Sequence, residues 1–424
     1  MANYLKITYL QDKQEDLKVN DYQFRNKPFP ISPIYELQVD TFELLTQGEN
    51  VKRVYKLNFQ ENKEVKHDYF PGDVIAILPE NDQTEINELF KRLNLTDQCN
   101  KYCKLDLTDD AGKKSIPKHL PTHHVTLKQI FLKYVDVRSV PKKLFLKALI
   151  KHTSDQPDIE KLQQICSPSG SSFYLKFIEE NRSLLFLLNC FPSCNPPIEL
   201  ILEHSTPLNP RYFSTATSPL NRQLSIIFDV LELPKGLKGI CSGWLEMILK
   251  ENNRTTKIPV YFRKPGNFRL KPNIDKPIML IATGTGLAPF IGFLDHFRLM
   301  GSHPEIWMFY GCRYVDRDFI CKELLQSYAN DGIIKCLFTS FSRDNEQKEY
   351  VQHKILKNKE VVIDFITNKE ATIYVCGDQK TMVKDVKETL VNCFMDCKNV
   401  DRTDAERVLS DLVQNGKFLV DTWS

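Results

Sequence analysis

Residues Ile278–Phe290 have the sequence IMLIATGTGLAPF, in which an apolar run leads directly into a loop with two glycines. The apolar run is typical of a buried strand, and Pro289 is tolerated in the first turn of a following helix. Glycines at such a turn let the backbone approach a diphosphate closely. The residues predicted to bind a dinucleotide at this strand–loop–helix turn are Thr283, Gly284, Thr285 and Gly286.

The pattern continues downstream of this turn. The strand-like runs IWMFYG, IIKCLFTSF and TIYVCG each precede a stretch with helical spacing of apolar residues. Alternating strands and helices indicate a doubly wound parallel sheet, and residues 271–424 are predicted to form such an α/β domain that binds NADPH. The last stretch, TDAERVLSDLVQNGKFLVDTWS, is predicted to be a helix followed by a short strand.

The residues before this domain show two other kinds of pattern. Alternating β-type runs in residues 35–82 and again in 201–270 predict an antiparallel β-barrel. Between them, residues 83–200 have apolar spacing near 3.6 and are predicted to form a helical insert. Residues 1–34 are polar with scattered aromatics and are interpreted as a linker or N-terminal arm.

The bulk composition excludes several classes of function. Lys plus Arg is 57 and Asp plus Glu is 54, and this near balance argues against a nucleic-acid partner. The most apolar stretch, Ile278–Leu294, is short and interrupted by glycines, so no membrane segment is predicted. The first residues, MANYLKITYLQDKQED, lack the apolar core of a secretory leader.

The twelve cysteines allow two interpretations, a disulfide framework or reduced thiols. The length of the chain and the missing leader favour reduced thiols and a cytoplasmic location. The pairs with C-x3-C spacing do not match the spacing of zinc ligands, so no metal site is predicted.

Two motifs in the β-type regions have the chemistry of a flavin site. In Arg211-Tyr212-Phe213-Ser214, an arginine can pair with a diphosphate, an aromatic ring can stack on a flat ring, and a serine can reach its reactive edge. The second motif is predicted to hold a diphosphate on the free N–H groups of a helix start, with Ser242 as the N-cap. Its residues are Gly239, Ile240, Cys241 and Ser242. The alternatives are a strand with one charge and an ordinary capped turn.

A cation-rich loop follows the third strand of the α/β region. Arg343 and Lys348 supply charge for a 2′-phosphate, Ser342 supplies a hydroxyl, and Tyr350 supplies a stacking face beside Gln352. This pattern favours NADPH over NADH. Asp344 is a mild counter-signal, because NAD sites place an acidic side chain there. The alternative is a solvated charged loop.

Two further candidates lie at strand ends near the C-terminus. Cys376-Gly377-Asp378 ends the TIYVC strand, on the side of an open α/β sheet where ligands bind. The alternative for Cys376 is a buried structural cysteine. Asp421 and Trp423 follow an apolar FLV run, where a terminus would ordinarily be frayed and polar; the alternative for Trp423 is a core anchor.

Taken in order, these motifs resemble the ferredoxin–NADP reductase family, and the helical insert resembles that of its diflavin reductases. The resemblance implies that Ser214, Cys376 and Asp421 form a catalytic cluster, and that Trp423 shields the flavin ring and moves before nicotinamide stacks. It also implies FAD contacts for Arg211, Phe213 and the residues of the second motif. The family usually has Tyr where this chain has Phe213, which keeps the stacking and loses a hydroxyl.

Within that family, the insert resembles the branch whose final electron acceptor is cobalamin-bound methionine synthase. The residues of the insert that carry this resemblance are Val140–Lys143, His152–Asp155 and Phe191–Cys194, and Gly311–Asp318 and the C-terminal ending carry it outside the insert. The resemblance implies FAD and NADPH as cofactors and a flavodoxin-like FMN-binding domain or protein as partner. Residues 1–34 are too few for such a domain, so we expect the FMN carrier to be outside this chain.

Overall fold

A computed structural model of the chain describes residues 3–10, 27–62, 65, 69–221, 223–251, 253–264, 266–270, 275–344 and 346–423. For Lys235 and Trp423 it describes the backbone alone. The chain divides into two compact units, one of residues 1–28 and 78–211 and the other of residues 29–77 and 212–424. No helix in the described parts of the chain is both long and apolar enough to cross a membrane.

The first unit is mainly helical and also contains a small antiparallel sheet. The sheet has the order β1-β6-β7, with strands Leu5–Tyr9, Tyr102–Leu107 and Val125–Thr126. The helices are α1 Gln83–Arg92, α2 Leu127–Lys133, α3 Lys143–Leu149, α4 Gln156–Cys166, α5 Ser171–Glu179, α6 Leu184–Cys190 and α7 Ile198–His204. The sequence pattern did not indicate this sheet, because β1 lies in the stretch interpreted as a linker or arm, and β6 and β7 lie between helices.

Helix α1 shows how these helices are specified. The Asp82 side chain accepts hydrogen bonds from the N–H groups of Thr84 and Glu85, which satisfies two donors of the first turn. Ile86, Leu89 and Phe90 recur on one face and are buried. Their spacing is the helical period seen in the sequence, and the predicted helical insert is confirmed here.

The second unit begins with two antiparallel sheets and one helix. The four-stranded sheet has the order β2-β10-β5-β8 and the three-stranded sheet the order β3-β4-β9. The strands are β2 Tyr35–Leu37, β3 Val39–Leu44, β4 Val54–Phe59, β5 Val74–Ile77, β8 Arg211–Ser214, β9 Ser225–Asp229 and β10 Ile258–Phe262, and the helix is α8 Ile240–Lys250. The predicted antiparallel flavin domain is confirmed, and its strands come from both sides of the helical insert.

The rest of the second unit is a five-stranded parallel sheet of order β13-β12-β11-β14-β15. Its strands are β11 Ile278–Thr283, β12 Ile306–Cys312, β13 Cys336–Phe341, β14 Thr372–Asp378 and β15 Phe418–Trp423. Its helices are α9 Ala288–Met300, α10 Lys322–Asn330, α11 Val351–Lys357, α12 Lys359–Thr367, α13 Lys384–Lys398 and α14 Arg402–Gln414. This arrangement confirms the predicted doubly wound domain.

Strand β11 explains why the sheet is covered on both faces. Ile278, Leu280 and Ala282 pack in one apolar cluster, and Met279 and Ile281 pack in another. Side chains of a strand alternate between faces, so a run without polar residues requires helices on both sides. The apolar run on which the predicted fold rests is therefore buried on both faces of the sheet. The loop after it lies at the carboxyl edge of the sheet.

Candidate functional site

Three polar side chains meet where strands β8, β14 and β15 come together. The Ser214 hydroxyl donates to the Asp421 carboxylate with an Oγ–Oδ2 distance of 2.8 Å. The Cys376 Sγ lies 4.0 Å from the same Oδ2. Cys376 and Asp421 are register partners in the parallel pair β14–β15, so the backbone of the sheet holds them side by side. We call this group the Ser214–Cys376–Asp421 cluster.

Burial sets the charge state of this cluster. It raises the pKa of Asp421, while the hydrogen bond from Ser214 and the positive charge of Arg263 act in the opposite direction. Burial also raises the pKa of the Cys376 thiol well above its ordinary value, and the neighbouring Asp421 charge raises it further. Cys376 is fully buried and therefore stays a neutral thiol near pH 7.

The segment after Ser214 is fixed at several points. Thr215 donates its backbone N–H to the Asp73 carbonyl at 3.0 Å. The Ser218 N–H donates to the buried Asp295 carboxylate at 3.0 Å, and its hydroxyl lies 2.9 Å from His296 Nδ1. Asp295 and His296 belong to α9, so this helix holds the segment that positions Ser214.

The aromatic and basic residues of the first flavin motif have different surroundings. Phe213 is half-buried and packs edge-on against Phe228, with ring centroids 6.1 Å apart. Tyr212 is exposed, and the Arg263 guanidinium lies 4.7 Å from its ring centroid. Arg211 belongs to the helical unit, and its guanidinium donates to the Asn209 carbonyl at 2.8 Å.

The second flavin motif forms the start of helix α8, but its N-cap differs from the prediction. Gly239 is the N-cap, and no side chain in the described structure caps the helix. Ser242 lies inside the first turn and accepts a hydrogen bond from the Leu231 N–H at 3.1 Å. The predicted capping role of Ser242 was therefore wrong. A Cβ on Gly239 would approach the Ser242 Oγ to 2.9 Å. Glycine at position 239 therefore leaves room for the Ser242 hydroxyl, which a side chain there would crowd.

A cleft of about 640 Å³ lies at the carboxyl edge of the parallel sheet. Seven of the residues predicted to bind NADPH line it: Thr283, Gly284, Thr285, Ser342, Tyr350, Gln352 and Asp378. Gly284 has a φ of +51°, and no atom of the described residues lies within 4 Å of the position that a Cβ would take. A ligand can thus approach the backbone closely at Gly284, as the glycines of this turn predicted for a diphosphate.

Four predicted residues do not line this cleft. Gly286 is buried in the turn that begins α9, and Cys376 is buried in the cluster described above. Arg343 and Lys348 are exposed. The Arg343 N–H donates to the Arg313 carbonyl at 2.9 Å, which joins the loops after β12 and β13.

Asp344, whose acidic side chain argued against NADPH in the sequence, is hydrogen-bonded within the protein. Its carboxylate accepts a hydrogen bond from the Val315 N–H at 2.9 Å and so fastens the loop after β13 to the loop after β12. This bond occupies one carboxylate oxygen. The acidic residue therefore has a role in the loop that requires no ribose diol.

Several cleft residues were missed by the sequence analysis, among them Arg313, Asp318, Ser340, Thr381 and Asp385. The signal available for Arg313 and Asp318 was their position in the loop directly after β12, at the same edge as the glycine turn. Ser340 is one residue before the end of β13 and gave no signal, because it lies in an apolar strand.

Ser340 also tests whether the cleft fits a polar ligand. Its side chain is 1% exposed, and its Oγ has no hydrogen-bond partner among the described residues. A buried hydroxyl without a partner is costly, so a polar ligand in the cleft would satisfy it. Together with the open backbone at Gly284, this fits a dinucleotide.

The predicted role of Trp423 rests on a side chain outside the described part of the structure. The backbone of Trp423 pairs with Asp378 in the parallel ladder β14–β15. The predicted terminal strand is confirmed through this residue.

Comparisons with known proteins agree with this architecture. The family model for the FAD binding domain matches residues 27–244, which is more than half of the chain, and that for the oxidoreductase NAD-binding domain matches residues 280–388. Among curated relatives, methionine synthase reductase of Rattus norvegicus is 34% identical over 99% of this chain and 65% of its own length. That of Homo sapiens is 33% identical, over 92% and 61%.

A second group of relatives is similar over the same region. NADPH–cytochrome P450 reductase of Cavia porcellus is 30% identical over 96% of this chain and 61% of its own length. The chain thus spans 61% to 65% of the length of these relatives. With two antiparallel sheets, a parallel nucleotide sheet and both family matches, the chain belongs to the diflavin reductase family and carries its FAD-binding and NAD-binding domains.

Proposed function

We propose that this chain is an NADPH-dependent reductase that serves as the FAD-containing part of an electron relay to methionine synthase. The observation that carries the proposal is the hydrogen bond from Ser214 to Asp421. It joins strand β8 of the antiparallel sheet to strand β15 of the parallel sheet through a hydroxyl and a carboxylate, two groups that can transfer protons. When bound, FAD takes hydride from NADPH and releases electrons one at a time. The chain supplies binding, orientation and proton handling.

The residues that would hold FAD lie on β8 and at the start of α8. Phe213 offers a half-buried aromatic face for a flat ring, and Arg211 offers charge for a diphosphate. The start of α8 suits a diphosphate, because the backbone N–H groups of a first helical turn point outward along the helix axis. The residues assigned there are Gly239, Ile240, Cys241 and Ser242.

NADPH would be held in the cleft at the carboxyl edge of the parallel sheet. Thr283, Gly284 and Thr285 suit its diphosphate, since their backbone is open to close approach. Ser342, Arg343 and Lys348 are assigned to the 2′-phosphate, which distinguishes NADPH from NADH, and Tyr350 is assigned to the adenine base. Gln352 and Asp378 line the cleft.

The Ser214–Cys376–Asp421 cluster would manage protons and position. Ser214 directs its hydroxyl proton at Asp421 Oδ2, and this half-buried carboxylate fixes that rotamer. The Cys376 thiol stays protonated and excludes water from the buried end of the cluster. The whole arrangement is pre-organised by strand pairing, so little reorganisation is needed during reaction.

Two observations bear on the acceptor. Relatives named methionine synthase reductase match at 33% and 34% identity, and their name supports cobalamin-bound methionine synthase as the final target, reached through an FMN-binding domain or protein. The relatives named NADPH–cytochrome P450 reductase support a second candidate, a reductase that serves a haem or iron–sulfur acceptor.

A non-catalytic docking subunit is the candidate from another class. The cluster speaks against it, because a half-buried, partly desolvated carboxylate with an aligned hydroxyl costs stability and serves no purpose in a retired site. The flavin content of the purified protein decides: the reductase binds FAD and loses its flavin colour anaerobically with NADPH. A protein that fails to bind added FAD would overturn the reductase proposal.

The acceptor is tested with a separately expressed FMN domain. We expect the chain, FMN domain and NADPH together to reduce methionine synthase-bound cobalamin, with the chain alone reducing only small acceptors such as ferricyanide. Faster reduction of a cytochrome than of the cobalamin protein would favour the second candidate.

The coenzyme assignment is tested with Arg343→Ala. Losing one charge-assisted contact to a 2′-phosphate should raise the KM for NADPH by roughly 10-fold to 100-fold and leave the KM for NADH nearly unchanged. Arg407→Ala, an exposed arginine on α14, is the matched control. An equal rise for both coenzymes would contradict the assignment.

A further inference from the structure

Helix α8 carries a fully buried carboxylate with four polar partners. Glu246 has 0% exposure. Three cations contact it, Lys238 at 2.6 Å, Arg53 at 3.1 Å and Lys250 at 3.2 Å, and the Tyr55 hydroxyl donates to it at 3.2 Å. Burial would raise the pKa of Glu246, but the hydrogen bonds from Lys238 and Lys250 and the charge of Arg53 hold it below its ordinary value. Glu246 is therefore ionised near neutral pH.

The ion pairs around Glu246, together with one backbone bridge, form a closed ring. Arg53 also pairs with Glu232, at 3.0 Å. Glu232 and Lys238 face each other in an antiparallel bridge, so they mark the two sides of the hairpin of residues 231–239. Going around, Glu232 pairs with Arg53, Arg53 with Glu246, Glu246 with Lys238, and the bridge returns to Glu232. Glu232, on one side of the hairpin, is thus tied to Arg53, directly before strand β4, and Lys238, on the other side, is tied to helix α8.

This hairpin leads directly into the first turn of α8. The Gly239 N–H donates to the Leu231 carbonyl at 2.8 Å, and the Leu231 N–H donates to the Ser242 hydroxyl at 3.1 Å. A Cβ on Gly243 would approach the Lys238 Cβ to 2.8 Å, so Lys238 packs tightly on the helix start. The position of Lys238 therefore sets the position of the residues that follow it.

A buried ion network is a weak device for stability alone, because desolvation offsets much of its attraction. Buried ion networks are better known for favouring one conformation over its alternatives. Here the conformation that it specifies is the helix start assigned to the FAD diphosphate. A negative charge close to a site for an anion would otherwise be unfavourable.

We propose that Glu246 is a positioning residue for FAD, which holds the hairpin of residues 231–239 and thereby the diphosphate-binding start of α8. This inference rests on the proposed FAD site. It assigns Glu246 no contact with the cofactor.

The direction in which Glu246→Gln changes the Kd for FAD distinguishes a positioning role from a direct electrostatic effect. Glu246→Gln removes a negative charge near an anion site, so a purely Coulombic effect would tighten FAD binding. Loss of the ion ring would instead loosen the helix start and weaken binding. We expect the Kd for FAD to rise about tenfold or more, which is the range for losing a charge-assisted contact. Riboflavin, which has no diphosphate, should bind the variant as it binds the unmodified chain.

The experiment is titration of the apoprotein with FAD and with riboflavin, followed by activity at saturating FAD. Glu388→Gln, which removes the exposed ion pair with Arg402, is the matched control. Lys238→Gln removes the partly exposed partner and tests the same ring if Glu246→Gln does not fold. We expect kcat at saturating FAD to stay within about twofold in either variant, as positioning through binding requires.

An unchanged or tighter Kd for FAD in both variants would overturn the inference, as would an equal loss for FAD and riboflavin. Failure of the unmodified chain to bind FAD would instead overturn the proposed function.

Discussion

The Ser214 hydroxyl lies 2.8 Å from the Asp421 carboxylate, although 207 positions separate the two residues in the chain. Ser214 ends a strand of an antiparallel sheet, and Asp421 lies in the edge strand of the parallel sheet. The hydrogen bond is therefore sensitive to any shift between these two sheets. Changes at either end, or at residues that hold either end, should affect activity before they affect folding.

The first prediction concerns the two partners themselves. Ser214→Ala and Asp421→Asn should each lower kcat with NADPH by roughly a hundredfold, the lower range for losing a positioned proton-handling group. The Kd for FAD should change little. Steady-state kinetics with ferricyanide and a flavin titration measure the two effects. The double variant should be little worse than either single variant, because the groups act as a pair. Additive losses would show that they act separately.

The second prediction concerns stability and pH. Burial raises the pKa of Asp421, so the folded chain holds this proton more tightly than the unfolded chain does. The contribution to stability is present at low pH and is lost as pH rises through the raised pKa. Asp421→Asn carries no charge and escapes this loss. We expect the Asp421→Asn variant to have a higher Tm than the unmodified chain at pH 7. The difference between the two Tm values should shrink as pH falls toward 4.

Thermal unfolding across this pH range, with Asp316→Asn as control, is the measurement. The Asp316 side chain is 71% exposed, so its replacement should shift Tm little at any pH. A variant that is less stable at pH 7 and equally so at pH 4 would contradict the burial argument.

The third prediction concerns Gly292 on α9. A Cβ there would lie 3.0 Å from the Thr215 carbonyl oxygen, one residue after Ser214. Gly292→Ala should push this segment by a few tenths of an ångström and lower kcat several-fold, since catalysis depends steeply on such distances. Alanine favours the helix, so Tm should not fall greatly. In Gly266→Ala, the added Cβ would meet, among the described residues, only the Phe268 nitrogen, at 4.0 Å, and kcat should not change. Equal kcat in the two variants would count against this coupling.

The fourth prediction concerns Arg92 in the helical unit. Its guanidinium lies 2.9 to 3.2 Å from the carbonyl oxygens of Leu188, Phe191, Pro192 and Cys194. Arg92→Met would leave these carbonyls without that donor and should cost about 3 kcal/mol, which corresponds to a drop in Tm of several degrees. The exposed Arg402→Met is the control.

Thiol labelling gives this variant a second readout. Cys194 is fully buried, and its own carbonyl is one of those that Arg92 contacts, whereas Cys190 is exposed and serves as an internal reference. We expect Cys194 to react with a thiol reagent faster in Arg92→Met, with the rate at Cys190 unchanged. A slow Cys194 in a destabilised variant would mean that the loop keeps its conformation without the arginine.

Periodicity predicted most of the architecture. The five-residue apolar run of β11 has no polar face, and such a strand is stable only between two layers of helices. The spacing of Ile86, Leu89 and Phe90 predicted α1 for the same kind of reason. These features depend on neighbours in sequence, so the sequence alone carries them.

The details that escaped prediction depend on distant partners. Ser242 had the residue type of an N-cap, but its hydroxyl is engaged by the Leu231 N–H, eleven residues away. Asp344 looked like a ribose ligand until its bond to Val315 placed it in a loop junction. The importance of Glu246 comes from Arg53, which is far away in the chain and next to it in space. No local pattern reports such contacts.

Neighbouring strands β5 and β8 belong to one sheet, yet residues 78–210, which form most of the helical unit, separate them in the chain. Closing an unstructured loop of that length is slow, because entropy must be lost before the strand contacts form. A unit that folds first from its own helical contacts shortens this search. We therefore expect the order of folding to run from the insert outward, so that lesions in the insert, such as the loss of Arg92, slow the appearance of flavin-binding competence during refolding.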